Sequence, residues 1–139
     1  MKTRVIVLST LIALALIIPA THNVGVHVDI VPKEHNDSRT KATAQEKQAN
    51  KIMAMRFAKA GWNWDKTQRR CAYSLFMKES KFDHLAKNQQ GSSAFGIGQV
   101  LKETSKDPAI QILNAYKYIK HRYDTPCKAW KHSQRRNWY

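Results

Sequence analysis

Apolar positions along the chain change their spacing three times. Residues 5–18 form a largely apolar run without a charge, closed by Pro19 and Ala20, and Val24, Val26, Val28 and Ile30 then alternate like a short extended piece. Residues 32–50 are polar, with almost no apolar content beyond alanine, and read as a linker or a loose helix. After that the spacing becomes three and four. Ile52, Met55 and Ala58, flanked by Met53 and Phe57, predict a helix ending at Gly61. Trp62-Asn63-Trp64 turns the chain. Asp65 followed by Gln68 resembles a capping box that opens a helix through residue 78 or 80. Asp107-Pro108 is a second start, an N-cap with Pro at the first helical position, and Ile112, Tyr116, Ile119 and Tyr123 give its helix one apolar stripe. Thr125-Pro126 begins a short last helix carrying Cys127 and Trp130. Between the main helices, residues 88–99 contain Gly and Ser and predict a loop or small hairpin. The fold class is α+β, mostly α, with a small irregular or β segment.

At 139 residues and 16.0 kDa the chain holds one compact domain with short appendages. The expected division is residues 1–21 as a signal peptide or signal anchor, 22–48 as a polar linker, and 49–139 as the folded domain. Lys2 and Arg4 ahead of fourteen mostly apolar residues without a charge make the pattern of an export signal, too short to span a bilayer comfortably. The expected location is therefore secreted or cell-envelope, with membrane contact only if the segment stays as an uncleaved anchor. Charge points the same way. Twenty-four basic residues against ten acidic ones give +14, so the partners are anionic, and without Lys2 and Arg4 the balance is still 22 to 10. An exported chain with dispersed basic residues and no zinc-finger or RNA-binding motif is not expected to bind nucleic acid. Anionic wall polymers are a sufficient partner, and a monomer is expected.

Export gives meaning to the two cysteines. Cys71 and Cys127 are the only pair, and an oxidising compartment favours joining them. The rival uses are a metal site and a catalytic thiol. No Cys-x-x-Cys or His-Glu-x-x-His occurs, and the six His are scattered, so no metal and no cofactor are expected. A thiol paired with His121 or His132 has no supporting pattern.

One residue breaks the pattern. On the helix over residues 66–80, Cys71, Ala72, Leu75 and Phe76 form the apolar stripe, and Glu79 falls on its next step. The C-terminal end of a helix is its negative pole, so burial and dipole both favour the protonated carboxyl. A carboxyl that keeps its proton near neutral pH suits a general acid for glycosidic cleavage. The plainer alternative is a stripe-edge Glu paired with Lys78, Lys81 or Arg70. Downstream, Asn88, Ser92, Ser93, Gly96, Gly98 and Gln99 offer amides that read hydroxyl groups and small residues that let a polymer approach. Trp62, Trp64, Trp130, Trp138 and Tyr139 are candidates for stacking on sugar faces, most of them expected to be core.

Glu79-Ser80 through Asn88, followed by Gly91-Ser92-Ser93-Ala94-Phe95-Gly96-Ile97-Gly98-Gln99, resembles the lytic transglycosylase signature of Glu-Ser and then Gly-Ala-x-Gly-(Ile/Leu)-x-Gln. Asp107 through Ile119 is similar to that family's following helix. The resemblance covers residues 60–139, with Ser93 where Gly is usual and Gly98 replacing a bulkier residue. It implies a lysozyme-like domain that acts on peptidoglycan glycan strands. The cut falls on the β-1,4 bond between N-acetylmuramic acid and N-acetylglucosamine, and the product carries a 1,6-anhydro ring. Glu79 matches the single catalytic acid/base; Asn88, Gln99, Tyr118 and Trp130 match positions that touch substrate. Two readings compete with it. A goose-type lysozyme would add a second carboxylate to activate water, Asp83 being nearest in sequence although it suits a cap or turn better. A wall-binding module would need no catalysis.

Overall fold

The computed structural model describes residues 38–88 and 91–139. The apolar run at 5–18, the alternating piece and most of the expected linker lie outside the described residues. Four helices and one two-stranded sheet make up the described fold, so the chain is mostly helical with a minor β element: α1 Ala44–Ala60, α2 Lys66–Glu79, β1 Ala94–Phe95, β2 Val100–Leu101, α3 Pro108–Tyr123 and α4 Pro126–Arg136. Among the described residues no helix is long and apolar enough to cross a membrane.

The helix starts follow local chemistry. The Asp65 carboxylate accepts from Gln68 N at 2.8 Å, and Asp107 accepts from Ala109 N at 2.7 Å with Pro108 directly behind it. Thr125 caps α4 through Lys128 N. The capping box expected at Asp65 is only half formed. Gln68 turns its Oε1 outward to accept from Cys127 N at 3.0 Å, which ties α2 to α4 beside the disulfide that joins Cys71 and Cys127.

The first helix differs from expectation at both its start and its buried face. It begins at Ala44, within the segment read as a linker or a loose helix, because Thr43 and Glu46 form a complete capping box. Arg39 adds a bidentate contact to Glu46 at 3.0 and 3.1 Å. Together these hydrogen bonds, led by that of Arg39, lower the Glu46 pKa to about 2. The buried residues are Asn50, Ala54 and Ala58, whereas Ile52 is 46% exposed. Small alanines let α1 approach α3 closely enough for the Tyr116 hydroxyl to donate to Ala54 O at 2.8 Å.

The core forms around Tyr116, which is fully buried. Phe76 stacks on it with centroids 5.4 Å apart, and Trp64 meets it edge-on at 4.9 Å. Burying each of Phe76, Phe82 and Leu75 contributes roughly 2 kcal/mol.

After α2 the chain reverses sharply. Lys81 and Phe82 both take left-handed backbone, φ 55° and 61°, at a cost of about 1 kcal/mol each. The Phe82 ring, buried against Phe76, and the Asn50 amide donating to Phe82 O at 3.0 Å offset that strain. The reversal stops α2 at Glu79 and leaves this carboxyl at the rim of the helical body.

The hairpin sits against that rim. Ala94 pairs with Leu101 and Phe95 with Val100, and Lys87 bridges to Phe95. Its turn needs two glycines. Gly96 has φ 75°, and a Cβ there would lie 2.3 Å from Gln111 Oε1; at Gly98 a Cβ would lie 2.5 Å from Ala115 Cβ.

Candidate functional site

Glu79 lines a cleft of about 520 Å³ between the hairpin and the ends of α3 and α4. Asn88, Gln99 and Tyr118 line the same cleft, so three of the four substrate-contact residues expected from the sequence gather around the expected acid. Trp130 does not line it; its indole packs against the hydrophobic core instead. Trp62 and Trp64 are core as well, stacked on each other at 5.3 Å, whereas Trp138 (49% exposed) and Tyr139 stand in the cleft wall.

The motif residues next to Glu79 hold the cleft together. Ser80 donates its hydroxyl to Ile97 O at 2.7 Å, locking the end of α2 to the hairpin turn. Gln99, itself in left-handed backbone at φ 47°, donates from Nε2 to Ala86 O at 3.0 Å and to Gly96 O at 2.9 Å. Its amide nitrogen is therefore committed to loop shape. Gln111, which falls within the stretch similar to the family's following helix but had no expected role there, is the deepest of these ties. Its Oε1 accepts from Ile97 N at 2.9 Å, and its Nε2 donates to His84 O at 2.9 Å and Ser105 O at 2.7 Å. One buried amide thus joins α3, the hairpin and the loop after α2.

The described residues contain seven carboxylates, and six have evident structural work. Glu46, Asp65 and Asp107 cap helices. Glu103 accepts from Ser105 N and the Asn114 amide, and Asp124 bridges Lys120 and Lys128. Asp83 accepts from Ala42 N and Leu85 N and pairs with Lys47 at 3.0 Å. Burial would raise the Asp83 pKa, but these donors outweigh it and the net shift is downward.

Glu79 is different. Its Oε1 is buried with no hydrogen-bond partner, and no cation lies within salt-bridge distance of it among the described residues. Burial raises its pKa; the nearby charge of Lys78 and a hydrogen bond with Ser133 oppose this without cancelling it. Lys78 cannot act as a clasp because its ammonium is spent elsewhere, donating to Ser133 O at 2.7 Å and Ser133 Oγ at 3.0 Å. An ammonium only donates, so Ser133 Oγ accepts from it and has its own hydrogen left for Glu79.

The opposite wall is aromatic. Tyr118 meets Tyr139 edge-on at 5.6 Å, and the Arg122 guanidinium lies 5.8 Å from the Tyr118 ring and 5.1 Å from Trp138. The Tyr139 hydroxyl donates to Gly98 O, pinning this wall to the hairpin. Burial, followed by the proximity of Glu79 and three other tyrosines, pushes the Tyr139 pKa well up, so the phenol is a neutral donor at any physiological pH. Arg122 and Asn137 also line the cleft, although no site role was expected of either. No group of three or more His, Cys, Asp and Glu side chains that could hold a metal occurs among the described residues.

No family model matches the chain, and no curated protein or solved structure does either.

Proposed function

We propose that the chain is a peptidoglycan lytic transglycosylase with a lysozyme-like fold, exported to the cell envelope, in which Glu79 is the single acid and base. The observation that carries this reading is the solitary carboxyl in the cleft: half-buried, lacking a counter-ion, with one oxygen unpartnered. A protonated Glu79 donates to the oxygen between the muramic and glucosamine sugars as their bond breaks. The resulting carboxylate then takes the proton from the muramic C6 hydroxyl as that oxygen closes on C1, and the acid is restored. Asn88, Gln99 and Tyr118 line the space where the sugars would lie, and Tyr139 supports the wall behind Tyr118.

Intramolecular attack by C6 needs no second carboxylate, which suits a cleft whose lining holds only Glu79 as an acid among the described residues. Asp83, the acid nearest in sequence, is held by two backbone N–H groups and Lys47, an arrangement that argues for structural work over activating water as a hydrolase would require. Mass spectrometry of fragments released from purified wall tests the reading. Anhydro-muramic ends, absent with Glu79→Gln, are expected. Reducing ends would move the chain to the hydrolases, and no release from wall by the native protein would leave a binding module.

A further inference from the structure

Glu79 also borders a second recess, of about 480 Å³, which shares no other lining residue with the cleft. Four lysines line it, Lys41, Lys78, Lys81 and Lys87, together with Thr40. Lys78 is spent on Ser133, but Lys41, Lys81 and Lys87 are exposed and have no acidic partner among the described residues. The other acid lining the recess, Asp83, is already turned to Ala42 N, Leu85 N and Lys47.

Each of the three free lysines stands on backbone fixed by a different tie. Lys41 precedes the Ala42 N–H that is anchored on Asp83 at 3.0 Å. Lys81 occupies the first of the two left-handed positions of the reversal, and Lys87 lies in the bridge to Phe95. Fixed backbone lowers the entropy lost when these ammonium groups engage an anion.

We infer that this recess binds the carboxylates of the peptide stem carried by the muramic sugar at the cut, making the enzyme selective for strands with acidic stems. The inference rests on the proposed function. Because Glu79 borders both spaces, an occupant of the recess lies within about one sugar of the bond being broken. A phosphate polymer attached at the muramic C6 is incompatible with attack by that same C6 hydroxyl. The peptide, attached through C3, leaves C6 free and brings carboxylates of the charge the lysines require.

The test uses the full chain carrying Glu79→Gln, which binds without cutting, and labelled glycan strands in two forms: native, and with stem carboxyls amidated by carbodiimide and ammonia. In this background Lys41→Ala/Lys81→Ala/Lys87→Ala is compared with Lys51→Ala/Arg56→Ala/Lys59→Ala, which removes equal charge from the far side of α1. The recess variant should lose about tenfold in affinity for native strands and under twofold for amidated ones, with the α1 variant changing both forms alike. Equal losses for the two variants on native strands would reduce the effect to net charge and overturn the inference. So would a recess variant that loses affinity for free polyglycerol phosphate but not for native strands. Release of anhydro ends by the native protein, measured separately, shows whether the underlying activity stands.

Discussion

Replacing Gln111 with Ala removes one side chain and disconnects three elements at once. Ile97 is fully buried, so its N–H would lose its acceptor at 2.9 Å with no water to replace it, a cost of about 2 kcal/mol. The His84 and Ser105 carbonyls belong to half-buried residues that solvent reaches, and losing their donors costs about 0.5 kcal/mol each. The sum is about 3 kcal/mol, which for a domain of this size lowers Tm by roughly 12–20 °C. Gln111→Glu should be worse, because the one nitrogen that donates to two carbonyls becomes an acceptor oxygen facing both. Thermal unfolding gives the stability, and hydrogen exchange at the Ile97 amide gives the local effect. The amide should lose protection beyond the global change, since the hairpin turn is released first. A Gln111→Ala protein within about 0.5 kcal/mol of the parent, with Ile97 still protected, would refute the role assigned to this residue.

Three further outcomes are expected. Asp83→Asn should destabilise by about 2 kcal/mol at neutral pH in denaturant titrations. Asp83 is a depressed carboxylate, so its contribution is present above the ordinary value of 3.8 and is lost as pH falls through the lowered pKa; the gap between the two proteins should narrow there, and a constant gap would contradict the assignment. Gly98→Ala should lose at least about 2 kcal/mol or displace the hairpin, because the added methyl meets Ala115 at 2.5 Å, and wild-type stability with an unshifted turn would show that the approach is looser than described. Opening the disulfide with Cys71→Ala/Cys127→Ala frees a loop with a sequence separation of 56 and should cost about 4 kcal/mol by loop entropy, read from denaturant midpoints; a cost below about 1 kcal/mol would place the stability elsewhere.

Features written in local sequence were legible. Asp65, Asp107-Pro108 and Thr125-Pro126 announce α2, α3 and α4 because a cap needs only its own neighbours. Glu79 showed itself by occupying an apolar step of its helix, and its half-burial follows from that step. The early start of α1 was also readable in Thr43 and Glu46, but the polar, alanine-rich segment hid it. Which face of α1 is buried was not readable, since it depends on how closely α3 approaches Ala54 and Ala58. Gln111 and Ser133 act through contacts far away in sequence; the resemblance covers the position of Gln111, but nothing local tells that a Gln ties loops or that a Ser meets an acid. Trp130 illustrates the converse: an indole suits a sugar and a core equally, and packing decided for the core.

The account depends on Glu79 holding its proton in the cleft. Its carboxyl carbon can be followed by NMR in protein labelled at Glu, with Glu79→Gln to assign the signal. Because burial outweighs the charge of Lys78 and the Ser133 hydrogen bond, the midpoint should lie above the ordinary value of 4.5, and should rise further when Ser133→Ala removes a bond that favours the carboxylate. A native midpoint at or below 4.5 would mean that the side chain is solvated or paired, and the case for an acid at this position would be lost.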